Sequence, residues 1–279
     1  MAEITAALVK ELRDETGLGM MDCKKALQET NGDKAAAVKI LRERGMNIAG
    51  KKAARVAKDG VVLADIASGG RSGVMIEVNC ETDFVVRNDK FQAWVKTLVE
   101  KAKGLADNTL AEVVKEETTA RIAEIGENII VRRNVQFDLQ GSGIVAGYIH
   151  LGGKVGVLLE IGCTKDETIT SESFREAVKD VTLHIAACNP VCLNRQQVPA
   201  ETVQAEREIY AKQVENKPAN IIQKIVDGKL DKFYQQVCLV EQGFVKDPDQ
   251  TVAEMLAACG KKVGDTLEIR RFIRYQVGA

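Results

Sequence analysis

The feature that most constrains the fold of this 279-residue chain is an internal repeat. Residues 60–80, GVVLADIASGGRSGVMIEVNC, can be laid without gaps over residues 143–163, GIVAGYIHLGGKVGVLLEIGC, which lie 83 positions later. In each copy apolar residues alternate on both sides of a glycine-containing turn, the pattern of an antiparallel hairpin with one buried face. The repeat therefore predicts a core of two related halves.

A second repeat closes each half. Residues 126–139 resemble residues 264–277, with Arg132 and Arg133 lying over Arg270 and Arg271, 138 positions later. Because this offset exceeds that of the hairpins, the second half carries about 55 extra residues between its hairpin and its closing strand.

Helical periodicity locates the extra residues between about Pro190 and Pro248. Two apolar stripes there are separated by a break at Asn216-Lys217-Pro218, which predicts a hairpin of two helices projecting from the core. Such paired stripes suit an antiparallel coiled coil, whose outer face could also dimerise. The stripes consist of Val203, Tyr210, Val214, Ile222, Ile225, Phe233 and Val237. In the two halves themselves, helix patterns occupy residues 90–103, 109–125, 171–188 and 250–260.

Residues 1 to about 50 have the pattern of three short helices. A bundle of this size is near the lower limit for independent stability, so we expect it to serve as a recognition module appended to the core. The basic residues between 51 and 58 form a connector, for which a solvated tether is favoured over a phosphate-binding patch because the run is short and mixed with alanine. The fold class is therefore α+β. Its predicted domains are a three-helix module at 1–55, core half 1 at 56–140, core half 2 at 141–190 and 246–279, and an inserted helical hairpin at 191–245.

Composition narrows the function classes. With 39 Lys and Arg against 40 Asp and Glu, the net charge of −1 does not favour a nucleic-acid coat protein. No apolar run approaches the roughly 18 residues that a bilayer span needs, and the first residues do not form a signal-peptide pattern. Seven scattered cysteines, an odd number, predict reduced thiols in a cytoplasmic protein, and only two histidines make a zinc site unfavourable. Because free cysteines are usually buried, we expect these thiols to be buried without a chemical role.

The sequence contains few of the motifs that identify an enzyme. The phosphate-binding, nucleophile and metalloprotease motifs do not occur, and no cysteine stands beside a histidine in a known signature. The glycine runs at 69–73 and 152–156 each join two strands, which favours hairpin turns over phosphate cradles. His150, beside the second run, has no evident acid–base partner. We therefore expect no catalytic residue, no metal and no cofactor.

The segment 80–89 joins the second strand to the first core helix, with Asn88 or Asp89 as the N-cap. Its unusual feature is Phe84, a bulky aromatic directly after the carboxylate Asp83. One interpretation buries Phe84 under its own helix, as most aromatics are buried. The other makes it an exposed anchor for a partner's pocket. The second half has Thr-Lys-Asp-Glu at 164–167 and lacks the aromatic, whereas a structural plug would be expected in both halves.

Four stretches resemble bacterial elongation factor Ts: residues 4–33 at the start, NCETDFVVRN at 79–88, IGENIIVRR at 125–133 and GDTLEIRRFIRYQVG at 264–278. The resemblance implies a nucleotide exchange factor for the translational GTPase elongation factor Tu, without catalytic residues or bound cofactor. It also implies that the N-terminal module resembles a ubiquitin-associated domain and that a coiled-coil hairpin is inserted in the second half. Better-known members continue into a further helix that contacts the GTPase, for which the printed sequence has no counterpart after Gly278.

The resemblance also implies roles for particular residues. Thr82, Asp83, Phe84 and Val85 would enter the GTPase's nucleotide-binding domain and dislodge the magnesium ion beside GDP. Further partner contacts would come from Met20, Met21, Lys24, Ile125, Gly126 and His150. Each also has a structural interpretation, since apolar residues at helical spacing and helix caps usually serve folding. No nucleic acid or membrane is required for this function. The alternative is a passive protein- or RNA-binding adaptor on the same fold.

Overall fold

The computed structural model describes residues 4–214, 216 and 218–279, so Lys217, in the predicted break of the hairpin, lies outside the described residues. The described chain combines α-helices with antiparallel strands, which confirms the α+β class. It divides into two compact units. The first unit contains Met1–Leu63, Ile76–Gln136 and Gln276–Ala279, and the second contains Ala64–Met75 and Phe137–Tyr275. The four-part division predicted from the sequence stays a prediction.

The N-terminal residues form three helices, α1 (Ala6–Thr16), α2 (Met20–Glu29) and α3 (Lys34–Lys52). Their ends are set by local chemistry, because Thr5 and Asp33 accept backbone N–H groups at the starts of α1 and α3, and Gly17 ends α1 with a φ of 71°. The small core between the helices consists of Val9, Leu12, Cys23, Ala26, Leu27, Ala37 and Leu41.

The predicted connector differs from expectation in its first residues. Lys51 and Lys52 belong to the last turn of α3, and Lys52 Nζ donates a hydrogen bond to the carbonyl of Gly126. A wholly solvated tether is therefore wrong at Lys52. The physical reason is that α3 continues into a contact with a core helix: a Cβ at Gly45 would lie 3.5 Å from Ala123 Cβ.

The first half of the core contains the strands β1 (Asp59–Ile66), β2 (Ser72–Cys80) and β3 (Ile129–Asp138), in the sheet order β1-β2-β3. Between β2 and β3 lie α4 (Asp83–Val86), α5 (Asp89–Ala102), α6 (Leu110–Val113) and α7 (Lys115–Ile125). The helix predicted at 109–125 is thus two helices, because Val114 leaves helical geometry with its side chain buried.

The second half repeats this plan with β4 (Gly143–His150) and β5 (Val155–Gly162), then α8 (Glu172–Cys188). The strands pair antiparallel from Gly143 with Gly162 to His150 with Val155, as the repeat predicts. After the insertion, β6 (Gly243–Phe244) and β7 (Asp247–Thr251) form a small hairpin that the sequence patterns missed, so α11 (Val252–Val263) begins later than predicted. The closing strand β8 (Glu268–Gln276) completes the sheet order β4-β5-β8.

Within each half, the two repeats meet in an ion pair between a buried glutamate and a partly exposed arginine. Glu77 is fully buried, and its Oε2 accepts from Arg133 Nε at 2.7 Å. Glu160 is equally buried, and its Oε2 accepts from Arg271 Nε at 2.7 Å. Because an unpaired buried charge is costly, these pairs tie each closing strand to its hairpin. They explain why both the glutamate and the arginine recur.

The insertion forms α9 (Ala200–Lys212) and α10 (Ala219–Val237). The residues of the predicted stripes are only partly buried. Among the side chains of α9 and α10 that the structure describes, Val226 and Leu230 are buried, and the stripes did not include them. At the base of the insertion, Cys192 Sγ lies 3.7 Å from Cys238 Sγ. In the sequence itself, the only close pair of cysteines is Cys188 and Cys192.

The seven thiols are not uniformly buried, since Cys188 is exposed and Cys192 and Cys259 are partly exposed. The prediction that the cysteines are buried is therefore wrong for these three. Among the helices of the described residues, none has both the length and the apolar content to span a membrane.

Candidate partner-binding site

Phe84 projects into solvent from the one-turn helix α4, which follows directly on strand β2. Its side chain is 77% exposed, whereas the next residue, Val85, is 7% exposed. Upstream, Cys80 Sγ donates to the carbonyl of Thr82 at 3.2 Å. Fully burying a phenylalanine is worth about 1.5–3 kcal/mol. The free protein leaves this stabilisation unused, which makes Phe84 suited to a partner's pocket.

The base of α4 is tied to the start of β3. Thr82 donates its backbone N–H to Glu127 Oε2 at 3.0 Å and its hydroxyl to Glu127 Oε1 at 2.7 Å. In the opposite direction, the backbone N–H of Asn128 donates to Glu81 Oε1 at 2.6 Å. This hydrogen bond lowers the pKa of the Glu81 carboxyl, and the nearby Arg55 guanidinium lowers it further.

Asp83, the first residue of α4, forms an ion pair with Arg87 at 2.7 Å. Both side chains are largely exposed, at 44% for Asp83 and 76% for Arg87. Exposed pairs of this kind are worth at most about 1 kcal/mol. The Asp83 carboxylate can therefore exchange Arg87 for another charged group at little cost.

An open groove of about 810 Å³ adjoins Phe84 in the first unit. Three parts of the chain build it: the end of α1 with the link into α2, the segment around α4 and the start of α5, and the end of α7. Its lining residues are Arg13, Gly17, Leu18, Gly19, Met20, Phe84, Val85, Asn88, Lys90, Glu124 and Ile125. The lining mixes apolar side chains with charged ones, which is the character of a protein-binding surface.

The groove wall depends on a close approach at Gly17. A Cβ on Gly17 would lie 3.3 Å from the carboxyl carbon of Glu124, and its φ of 71° is in the left-handed region. Glycine is therefore the residue that fits this position without strain. Glu124 is held in turn by Lys90, at 3.1 Å, and by Arg121.

The structure brings together four of the site residues singled out from the sequence, since Met20, Phe84, Val85 and Ile125 all line the groove. Met20 and Met21 are exposed, so they do not belong to the core of the three-helix module. Lys24 is also exposed on α2.

Gly126 caps α7 with a φ of 83°, and a Cβ there would meet no atom within 4 Å. It is therefore a helix cap with open space beside it.

His150 belongs to the second unit, at the end of β4. Its Nδ1 lies 2.9 Å from the hydroxyl of Tyr148, and the two rings stack with centroids 5.7 Å apart. The next residue, Leu151, is exposed and has a φ of 50°, which is unusual for a residue other than glycine. Neither the tyrosine contact nor the exposed leucine was predicted from the sequence.

Sequence reasoning also missed Arg13, Leu18, Lys90 and Glu124 in the groove. A signal existed only for Leu18, an apolar residue between the two glycines that separate α1 from α2. The charged residues gave no signal, because surface charges on helices are common. Within residues 4–214, 216 and 218–279, no group of three or more His, Cys, Asp or Glu side chains is placed to hold a metal ion.

An exposed aromatic beside a mixed apolar and charged groove defines the class of protein: one that works by binding another protein. The comparisons with known proteins give the family. The profile of the family described as Elongation factor TS matches residues 81–279. Elongation factor Ts of a Nitratiruptor species is 44% identical over 290 residues, covering 99% of this chain and 93% of the relative.

Two further relatives agree. Elongation factor Ts of Trichlorobacter lovleyi is 44% identical over 293 residues, and that of Clostridium botulinum (strain Alaska E43 / Type E3) is 42% identical over 287 residues. Each alignment covers 99% of this chain and 93% of the relative. The chain belongs to the elongation factor Ts family. The family is one of nucleotide exchange factors for elongation factor Tu in translation elongation, and its members are not catalysts of a chemical reaction.

Proposed function

We propose that this protein releases GDP from elongation factor Tu by inserting the segment Thr82–Val85 into the GTPase and displacing the magnesium ion beside the nucleotide. The observation that carries the proposal is the exposure of Phe84, 77%, next to an open groove. A hydrophobic side chain that its own fold leaves in water gains free energy by entering a partner's interior.

Nucleotide exchange is a linkage problem. A factor that binds the nucleotide-free GTPase more tightly than the GDP form weakens GDP binding by the same ratio. A ten-thousand-fold weakening requires about 5.5 kcal/mol of differential binding. Burying Phe84 contributes about 1.5–3 kcal/mol, so the aromatic alone is insufficient. The remaining differential free energy must come from other contacts.

The groove and its surroundings are suited to these further contacts. Met20, Met21 and Ile125 add apolar surface, and Lys24 adds a positive charge on the same unit. We include Gly126 and His150 as proposed contacts because of the family resemblance.

Asp83 has a separate role in the proposal. Its carboxylate is partly exposed and is paired with the exposed Arg87. Near the partner's magnesium site, a negative charge from Asp83 would perturb the groups that hold the ion. Loss of the ion then weakens phosphate binding electrostatically.

Several finer features complete the proposal. The N-terminal module would act as a ubiquitin-associated-like recognition domain, and α9 with α10 would act as a coiled-coil hairpin whose outer face could dimerise. The protein would work in the cytoplasm, with elongation factor Tu as its partner and without a direct need for nucleic acid, a metal or a cofactor.

The test is release of a fluorescent GDP analogue from purified elongation factor Tu. We expect Phe84→Ala to slow stimulated release by about 10- to 100-fold, because the lost burial is worth about 1.5–3 kcal/mol. The fold should not change, since Phe84 packs little against its own protein. The matched control is Glu167→Ala, because Glu167 is the exposed residue 83 positions later in the second half.

Unchanged release with Phe84→Ala would contradict the proposed insertion. A passive adaptor gives a different result: the wild-type protein would then bind elongation factor Tu without accelerating GDP release. Repeating the assay over a series of magnesium concentrations tests the metal step. If displacement of the ion drives release, the stimulation by the factor should be largest at high magnesium and should shrink when chelator has already removed the ion.

A further inference from the structure

We propose that Glu127 is a positioning residue for nucleotide release, because its carboxylate fixes the base of the helix that presents Phe84. This inference rests on the proposed function, since it assigns a role only if Phe84 enters the partner. Glu127 would not touch the GTPase-bound nucleotide. It would act through Thr82, the residue that precedes α4.

The contact is made by both oxygens of one carboxylate. Glu127 Oε2 accepts the backbone N–H of Thr82 at 3.0 Å, and Oε1 accepts its hydroxyl at 2.7 Å. Two hydrogen bonds to one residue fix both its position and its orientation, and bonds to a charged acceptor are the stronger kind. The backbone direction at the start of α4 is therefore set by Glu127.

The helix α4 cannot fix this direction by itself. It has four residues, and a single helical turn is unstable without tertiary contacts. A threonine at an N-cap ordinarily accepts a backbone N–H of the first turn. The hydroxyl of Thr82 makes no such cap and donates to Glu127 instead. The anchoring of α4 is therefore to the start of β3, 45 residues away in the chain.

A second contact, in the opposite direction, also joins the residues before α4 to the residues before β3. The carboxylate of Glu81 accepts the backbone N–H of Asn128 at 2.6 Å, so two neighbouring pairs of residues are tied in opposite directions. The side-chain amide of Asn128 donates in turn to the carbonyl of Arg55 at 2.8 Å. Phe84 thus projects from a base that is held before any partner arrives. Preorganisation of this kind reduces the entropy that binding must remove.

The second half contains the same device without the aromatic. Asp265, which lies 138 positions after Glu127, accepts the backbone N–H groups of Thr164 and Lys165, both at 3.1 Å. The turn that follows exposes Glu167 where the first half exposes Phe84. A carboxylate clamp is therefore part of the duplicated fold, and its position under an aromatic is particular to the first half. Asp265 is the matched control for Glu127.

The experiment measures stimulated GDP release from elongation factor Tu over a range of factor concentrations. We expect Glu127→Ala to lower the maximal rate at least about tenfold, because it removes two hydrogen bonds to a charged group and one such bond is worth about that much. The concentration for half-maximal stimulation should change less than about threefold, because the groove remains. Thr82→Val, which keeps the side-chain shape and removes the hydroxyl, should lower the same maximal rate.

Two conservative variants should restore the rate. Thr82→Ser keeps both donors, and Glu127→Gln can accept the Thr82 N–H through its carbonyl while its amide donates to the hydroxyl. Asp265→Ala should lower the unfolding midpoint in urea and leave the maximal rate within about twofold of wild type. Urea unfolding of every variant, measured beside release, separates a change in stability from a change in exchange.

The outcomes are distinct. If Phe84→Ala slows release while Glu127→Ala and Asp265→Ala both reduce only stability, the positioning role is wrong and the proposed function stands. If Phe84→Ala itself has no effect on release, the proposed function fails and the positioning role fails with it. A reduced maximal rate for Glu127→Ala, recovered in Glu127→Gln, supports the inference.

Discussion

In the first half of the core, β2 is followed by α4 at Asp83–Val86, and in the second half β5 is followed 83 positions later by a 3₁₀ turn at Asp166–Thr170. The cysteine thiol that ends each hairpin makes the same contact: Cys80 Sγ donates to the carbonyl of Thr82 at 3.2 Å, and Cys163 Sγ donates to that of Lys165 at 3.3 Å. The two turns therefore share their local scaffold.

The two turns agree in which residue is buried and differ in the kind of residue that is exposed. Val85 and its counterpart Thr168 are both buried, at 7% and 4% exposure. The residues before them, Phe84 and Glu167, are both exposed. Both halves thus bury the residue at the first of these positions, whereas the exposed residue before it is aromatic in one half and acidic in the other. This difference indicates that the function of the loop depends on the exposed residue, Phe84, which does not contribute to packing of the fold.

The largest expected effect tests whether the Glu–Arg ion pair stabilises both halves equally. Glu77→Ala and Glu160→Ala should each lower the free energy of unfolding by about 3 kcal/mol, because each removes a buried carboxylate that is bonded to two partly exposed arginines. Urea unfolding monitored by circular dichroism measures the loss. Similar values for the two variants are expected from the matching Glu–Arg geometry. A loss of under about 1 kcal/mol in one half would show that the two ion pairs are not equivalent.

The next largest effect is expected when Phe84 and Glu167, the exposed residues that differ between the halves, are exchanged. Phe84→Glu places the second-half residue in the first half, and we expect stimulated GDP release to slow about 100-fold, because burial of the ring is lost and a charge takes its place. The double variant Phe84→Glu with Glu167→Phe should remain as slow. Recovery of release in the double variant would show that either half can present the aromatic, against the proposed role of the first.

The smallest effect concerns pH. Hydrogen bonds from the side chains of Thr164 and Thr168 hold the pKa of Asp265 well below its ordinary value of 3.8, and the Asn128 N–H lowers the pKa of Glu81 below 4.5. A carboxyl whose pKa is lowered by folding stabilises the folded state above its ordinary pKa, and this stabilisation is lost as the pH falls.

We therefore expect the stability difference between wild type and Asp265→Asn to be constant near neutral pH and to shrink below about pH 3.8. The difference for Glu81→Gln should begin to shrink at higher pH, near 4.5. Urea unfolding between pH 2.5 and about 7 tests both. A difference that grows on acidification would contradict the assigned hydrogen bonds.

Much of the fold could be predicted because its signals are local or repeated. The alternation of apolar residues predicted the hairpins β1-β2 and β4-β5, and the caps Thr5 and Asp33 lie where α1 and α3 begin. The division of the helix at Val114 and the hairpin of β6 and β7 were missed, because both depend on packing that helical periodicity does not report.

The candidate site was less predictable. The sequence singled out Phe84 and left its burial open, since a phenylalanine beside two valines gives no sign of which side chain faces the core. The groove brings together Gly17, Phe84 and Ile125, which are far apart in the chain. The proximity of Cys192 to Cys238 was hidden for the same reason.

By itself, the sequence determined that two related α+β halves exist, where most of their strands and helices lie, and that one half carries an aromatic that the other lacks. These properties follow from residue periodicity and capping, which act over a few neighbouring residues. The tertiary structure decided that Val85 packs inward while Phe84 faces solvent, and that Glu127 holds Thr82. Burial and such long-range hydrogen bonds depend on which distant elements pack together, and local sequence patterns do not contain that information.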